Sequence, residues 1–147
     1  YHFVVERSGE VIQPRHEEEE GAHCIGRNTD SIGICLAGNF NFETPTVAQR
    51  NSLVKLIDEI KTRWPAINTE ICPHRVYRAT SCYGIKLGNE WARSAYLDYK
   101  NQTIRNDLFQ LLEKLAEETG VQIIMITHAQ EFEVGKIIQI GGSSDRG

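Results

Sequence analysis

The chain of 147 residues has 40% hydrophobic and 24% charged residues, the usual composition of a single globular domain. Its formal net charge of −4 disfavours nucleic acid and anionic lipid as partners. No run approaches the roughly 20 apolar residues of a membrane-spanning helix. The first residue, Tyr1, already stands in an apolar, β-branched run, which is typical of a processed chain or a fragment.

The first 40 residues predict strands around a polar loop. Residues 2–6 (HFVVE) and 10–14 (EVIQP) flank an RSG sequence, which predicts a β-hairpin with Gly9 in its turn. The acidic stretch 15–23 (RHEEEEGAH) predicts a solvated loop or short helix. Residues 31–40 (SIGICLAGNF) form a continuous apolar run, as expected of a strand that is buried on both faces.

Residues 44–65 predict the clearest helix. Thr44 is expected to cap it, Pro45 to occupy its first position and Pro65 to stop it. Apolar residues recur at spacings of three and four, which predicts a stripe facing the core. That stripe consists of Leu53, Leu56, Ile57, Ile60 and Trp64.

Strand and helix patterns continue to alternate toward the end of the chain. Residues 67–71 (INTEI) predict a short strand, and residues 89–119 a helix with a candidate break at residues 100–102, ended by Gly120. One face of its second half is apolar and consists of Ile104, Leu108, Leu111, Leu112 and Leu115. Residues 121–127 (VQIIMIT) predict a buried strand. The alternation predicts an α/β fold with a mixed sheet flanked by helices.

The polar stretch 74–82 (HRVYRATSC) carries a histidine and a cysteine eight positions apart. Imidazole and thiolate are both good zinc ligands, but a catalytic zinc takes three protein ligands and a structural one takes four. From these residues alone, two interpretations remain. His74 and Cys82 bind zinc, or they are a loop histidine and a buried thiol that bind no metal. A Cys–His nucleophile pair is a further interpretation.

Other stretches bear on that choice: YHFVVERSGEV, GAHCIGRNTDSIGICLAGNF, the Thr-Pro helix start and HRVYRATSCYG occur in this order. Together they closely resemble the zinc-dependent N-acetylmuramoyl-L-alanine amidases of the type-2 amidase family. That family includes phage amidase lysozymes, bacterial muropeptide amidases and peptidoglycan recognition proteins. The resemblance extends over residues 1–91, and it implies the family's mixed α/β fold and Zn²⁺ as cofactor.

The resemblance also implies roles for individual residues. His74 matches the family's second zinc histidine and Cys82 its cysteine ligand. Thr80 matches a catalytic Lys or Thr, and Tyr1 an active-site tyrosine. These roles suit amide hydrolysis, because zinc lowers the pKa of bound water to about 7 and hydroxyl groups can donate hydrogen bonds to an oxyanion. A strand tyrosine and a turn threonine are the structural alternatives.

Two loop residues match positions that border the family's substrate groove. They are His23, in the GAH sequence, and Asn28. The resemblance therefore implies that both contact substrate, while a purely structural role in the loop is the alternative for each.

The match is incomplete at one zinc ligand. The family's first ligand is a histidine that ends a strand upstream of the YHF motif, and nothing precedes Tyr1 in this sequence. We therefore expect an amidase-like domain at residues 1–98 without its usual first strand and helix, followed by a helix–strand tail at residues 99–147. The sequence IIMITH offers His128 as a replacement ligand, as in a circular permutation; a core or loop histidine is the alternative.

The resemblance implies a peptidoglycan hydrolase that acts on the cell wall and cuts the amide bond between N-acetylmuramic acid and L-alanine. A non-catalytic muropeptide-binding module, or an inactive amidase fragment, is the competing interpretation. Family members that only bind typically lack the cysteine ligand, so Cys82 favours the enzyme. Peptidoglycan is the expected partner, with no nucleic acid and no membrane span, and the chain is expected to be a monomer.

Overall fold

The structure is a computed structural model that describes residues 1–67 and 70–120. Residues Tyr1–Lys100 form one compact unit, and a second unit begins at Asn101. The elements are strands β1 (Phe3–Val5), β2 (Val11–Ile12) and β3 (Ile34–Leu36), helix α1 (Val47–Arg63), a 3₁₀ turn (His74–Val76) and helix α2 (Trp91–Thr119). Within the described ranges, no helix is long and apolar enough to cross a lipid bilayer.

The sheet is mixed, with strand order β2-β1-β3. β1 and β2 form the predicted antiparallel hairpin, in which Val4 lies opposite Ile12. Gly9 occupies its turn with φ of 89°, a conformation that favours glycine. β1 and β3 run parallel, with Val4 opposite Cys35. The predicted α/β fold with a mixed sheet is therefore confirmed.

A buried polar side chain lies at each end of the β1–β3 pair. At one end, His2 is 1% exposed; its Nδ1 accepts a hydrogen bond from the Gly33 N–H at 3.0 Å, and its Nε2 therefore donates to the Glu19 carbonyl at 3.0 Å. At the other end, Gln49 is fully buried and its amide group donates to the carbonyls of Val5 at 3.2 Å and Ala37 at 2.8 Å. Both strands are thus tied together at their two ends.

Helix α1 begins later than predicted. Thr46, not Thr44, is the N-cap, because its hydroxyl accepts from the Gln49 N–H while the Gln49 side chain accepts from the Thr46 N–H. This reciprocal capping box satisfies two otherwise free donors, which a start at Pro45 would not provide. The helix ends at Arg63, with Trp64 as its C-cap residue.

The predicted stripe of α1 is largely confirmed as core. Leu56 and Ile60 pack with Phe3 and Val5 of β1. A second cluster joins α1 to the first turns of α2 and consists of Leu53, Val54, Ile57, Ala92, Ala95 and Tyr96. Trp64 was wrongly assigned to the stripe: it is 40% exposed, and its indole N–H donates to a carboxylate instead.

Other differences from the predictions concern element length and burial. β3 covers three residues, all half-buried, where a longer strand buried on both faces was expected, since all three residues line a cavity. The described members of the predicted strand at 67–71 are not in a strand. α2 is continuous through residues 100–102 and is followed by Gly120 at φ of 66°. Ile104, Leu108, Leu111 and Leu115 are exposed rather than core.

A charged cluster anchors the acidic loop to the end of α1. The carboxylate of Glu17 accepts from Arg63 at 2.5 Å and from the Trp64 indole at 2.5 Å. Burial raises the pKa of Glu17, but the hydrogen bonds from Arg63 and Trp64 and the Arg63 charge outweigh it, so its pKa is lowered overall. The pKa of Arg63 is raised by the same hydrogen bond, and the two directions agree.

Replacement of Glu17 by Gln should lower stability at neutral pH by about 1 kcal/mol, because Arg63 is partly exposed and solvent screens the pair. The pKa of Glu17 is lower in the folded state than in the unfolded state. Its contribution to stability is therefore complete above the pKa of the unfolded state, and it is lost as pH falls through the pKa of the folded state. Urea unfolding of both proteins at pH 7 and in acid should therefore show a stability difference that closes as pH falls. Glu18→Gln, at an exposed neighbour, is the control; an equal effect of both changes would contradict the prediction.

Replacement of Gln49 by Leu should destabilise the fold by about 2–4 kcal/mol, because it leaves the Ala37 carbonyl without its donor in a buried site and removes half of the capping box. Gln102→Leu, at an exposed position of α2, should change stability by less than about 0.5 kcal/mol. Denaturant unfolding of both variants tests this. Similar values for the two would show that the buried amide does not tie the strands.

Candidate active site

A cavity of about 410 Å³ opens beside β3, between α1 and the segment that carries the 3₁₀ turn. Its floor is apolar and includes Ile34 and Leu36 of β3 and Ile57 of α1. Its polar lining includes Tyr1, His23, His74 and the four cysteines Cys24, Cys35, Cys72 and Cys82. All four cysteines are free thiols. The cavity thus gathers aromatic, imidazole and thiol groups over an apolar base.

Three rings form a cluster at this cavity. The ring centroid of Tyr1 lies 5.7 Å from that of His74 and 6.0 Å from that of His23, and the two imidazoles are stacked at 6.1 Å. Burial, followed by the nearby thiols of Cys35 and Cys82, raises the pKa of Tyr1. The phenol therefore keeps its proton at neutral pH and can donate a hydrogen bond into the cavity.

His74 begins the 3₁₀ turn directly after the buried Pro73. Burial lowers the pKa of His74. Imidazole is therefore favoured in its neutral form, which is the form that binds metal ions. Cys82 lies eight residues later on the loop that leads to α2, and both residues line the same cavity.

Thr80 is placed differently from the other predicted catalytic residue. Its side chain is exposed, and its hydroxyl accepts a hydrogen bond from the Cys82 N–H at 3.4 Å. The structure thus shows a contact between Thr80 and the backbone of the cysteine. Tyr1, by contrast, stands in the cavity lining itself.

His23 is closely confined by its surroundings. Its Nε2 bonds to the Ser31 hydroxyl at 2.9 Å, and its Nδ1 is buried without a partner among the described residues. A Cβ atom added at Gly21 or Gly33 would overlap its ring, so both glycines are required by close approach. Burial and the neighbouring His2 and His74 lower its pKa to about 4.

Asn28 closes the loop that presents His23. Its side-chain oxygen accepts from the N–H groups of His23 at 2.9 Å and Cys24 at 2.7 Å. Its own carbonyl accepts from the Gly21 N–H at 2.9 Å. The observed role of Asn28 is therefore to shape the loop, and contact of His23 or Asn28 with substrate stays a prediction.

The described part of the site contains two of the predicted metal ligands. Within residues 1–67 and 70–120, no group of three or more His, Cys, Asp or Glu side chains is arranged to hold a metal ion. The third predicted ligand, His128, lies outside the described residues. In type, an imidazole and a thiol facing one cavity fit zinc, which requires a further protein ligand to complete a catalytic site.

Several residues that shape the site were missed by sequence reasoning. His2 and Gln49 occupy strand and helix positions where polar residues usually face solvent, and nothing in their spacing indicates burial. Arg75 donates hydrogen bonds to oxygens of the loop after Cys82. Its position directly after His74 was the available signal, since a residue beside a ligand is well placed to support it.

Relatives of known name share this part of the chain. Peptidoglycan-recognition protein SC2 of Drosophila melanogaster is 33% identical over 91 residues, covering 61% of this chain and 50% of the relative. The endolysin of Klebsiella phage KP32 is 28% identical over 99 residues, covering 64% of each chain. This chain therefore spans half the length of the first relative and about two thirds of the second.

Solved structures of similar fold also exist. The solved structure of N-acetylmuramoyl-L-alanine amidase LysC from Clostridium intestinale URNW matches with a TM-score of 0.59 and 31% identity, covering 64% of this chain and 62% of that one. The N-acetylmuramoyl-L-alanine amidase family (type 2) matches residues 1–85, which is more than half of the sequence. The chain therefore belongs to the N-acetylmuramoyl-L-alanine amidase type 2 family.

Proposed function

We propose that this protein hydrolyses peptidoglycan at the amide bond between N-acetylmuramic acid and L-alanine, with the aid of a zinc ion. The main support is that Tyr1, His74 and Cys82 face one cavity in a chain that belongs to an amidase family. Related proteins named endolysin and solved structures named amidase add to it. Muropeptide is the proposed substrate.

His74 and Cys82 would hold the metal, together with a third protein ligand from outside the described residues. Held by these residues, zinc would supply a Lewis acid and a water that loses its proton more readily. The neutral form of His74, favoured by its lowered pKa, is ready to act as a ligand.

Tyr1 would donate a hydrogen bond to the oxyanion that forms when water attacks the amide carbonyl. Its raised pKa keeps the phenol protonated across the neutral range, and its ring lies beside His74. Thr80 would be a second donor.

A binding module without hydrolysis is the second candidate, because some relatives are named peptidoglycan-recognition proteins. The same cavity would then hold muropeptide without cutting it. The presence of Cys82 favours the enzyme over this alternative, since a thiol and an imidazole that line one cavity are donors that suit zinc. Release of free stem peptide from purified peptidoglycan distinguishes the two.

The metal is tested by Cys82→Ser in the full-length protein. This change should abolish both zinc retention and hydrolysis while leaving the fold intact, because a hydroxyl is a much poorer zinc ligand than a thiolate. Metal content by atomic emission and release of stem peptide are the measurements.

Cys35→Ser is the matched control, because Cys35 lines the same cavity on β3 and is not a proposed ligand. It should keep its zinc and most of its activity. Normal zinc content and activity in Cys82→Ser would exclude Cys82 as a ligand.

The hydroxyl donors are tested by Tyr1→Phe and Thr80→Ala. Each should reduce the turnover rate by about 10²–10³, the usual cost of a lost oxyanion donor, with little change in zinc content. Single-turnover hydrolysis of a defined muropeptide is the measurement.

Tyr77→Phe and Ser81→Ala remove hydroxyl groups close by, one in the cavity lining and one next to Thr80. Both should retain near-normal rates. A normal rate in Tyr1→Phe or in Thr80→Ala would remove that residue from the proposed mechanism.

A further inference from the structure

Arg75 joins the two parts of the chain that carry the proposed metal ligands. It directly follows His74 on the 3₁₀ turn and is partly buried. Its guanidinium group donates to the Gly84 carbonyl at 3.1 Å, the Leu87 carbonyl at 2.5 Å and the Asn89 side-chain oxygen at 2.5 Å. One side chain therefore spans the loop from two residues after Cys82 to the start of α2.

The far side of that loop is held by a different segment. The Lys86 N–H donates to the Phe40 carbonyl at 3.0 Å, and the Ile85 N–H donates to the side chain of Asn41 at 3.0 Å. Gly84 is buried against the Phe40 backbone with φ of 117°, where a side chain would overlap it. Residues 40–41 thus hold one side of the loop, and Arg75 holds the side next to His74.

The geometry requires the planar guanidinium of arginine. Three acceptors spread over six residues are reached by separate N–H groups of one rigid fork, whereas a lysine ammonium is a single point on a flexible stem. With lysine or glutamine at this position, some of the three oxygens would lose their donor. The separation of His74 from Cys82 would then be less well defined.

We propose that Arg75 is a positioning residue, which holds Cys82 opposite His74 and so sets the affinity of this site for a divalent metal ion. This inference rests on the proposed function, because it takes His74 and Cys82 as ligands. Groups that orient metal ligands typically contribute 10–100-fold to metal affinity.

The test measures Zn²⁺ affinity of the full-length protein by competition with a chelator. Arg75→Lys and Arg75→Gln should each weaken binding by about 10–100-fold. Arg78→Lys and Arg78→Gln, at an exposed arginine of the same stretch, should leave it unchanged. Hydrogen exchange of the metal-free protein should quicken at Gly84, Lys86 and Leu87 in the Arg75 variants alone.

The outcomes separate the two proposals. If the wild-type protein and Arg75→Lys bind zinc with the same affinity, the proposed role of Arg75 is refuted. The proposal of a metal site is then retained. Faster exchange without weaker binding would make Arg75 a loop contact only, and would equally refute its proposed role. No zinc binding by the unchanged protein would refute the metal site, and the role of Arg75 with it. If Arg75→Gln does not fold, Arg75→Lys, which retains the charge, decides alone.

Discussion

The parallel pairing of β1 with β3 is the constraint on which the site depends. The pair is only three residues long, which gives few ladder hydrogen bonds to hold two strands in register. His2 and Gln49 compensate by bonding to backbone groups at opposite ends of the pair. A buried polar group with its partners in place is stabilising, and without them it is costly, so each side chain enforces one register. That register decides where the residues before β1 and after β3 lie.

From this pair the site is built outward in both directions. Tyr1 precedes His2 and is brought beside His74, while the backbone around Gly33 leaves room for the ring of His23. After β3, the segment at residues 40–41 receives the loop that carries Cys82. The imidazole and the thiol therefore belong to one short stretch of sequence, but their placement relies on contacts with segments more than thirty residues earlier.

The sequence predicted which helices and turns are present better than it predicted their first and last residues. The hairpin, the α1 stripe and the end of α2 at Gly120 follow from turn residues and periodicity, which act over short distances. The start of α1 was misplaced because the Thr44–Pro45 pair was favoured over Thr46 and Gln49, whose spacing is the sequence signature of a capping box. The apolar face of α2 at Ile104 and Leu108 repeats like a core face yet is exposed, because periodicity does not identify what covers a helix. Of the site, the family motifs identified Tyr1, His74 and Cys82. Arg75 stands directly after His74, but its hydrogen bonds and those of His2 depend on the fold and could not be predicted from sequence spacing.

The gathering of all four thiols at one cavity has a consequence for chemical labelling. The cavity volume of about 410 Å³ is that of a single small-molecule site. Cys24 is buried there, whereas Cys35, Cys72 and Cys82 are partly exposed. A bulky maleimide that reacts with one thiol would take up cavity space shared with the others, so the first adduct should slow the reaction of the remaining thiols in the folded protein. The rate of thiol labelling would thus report on the integrity of the cavity as well as on the number of cysteines.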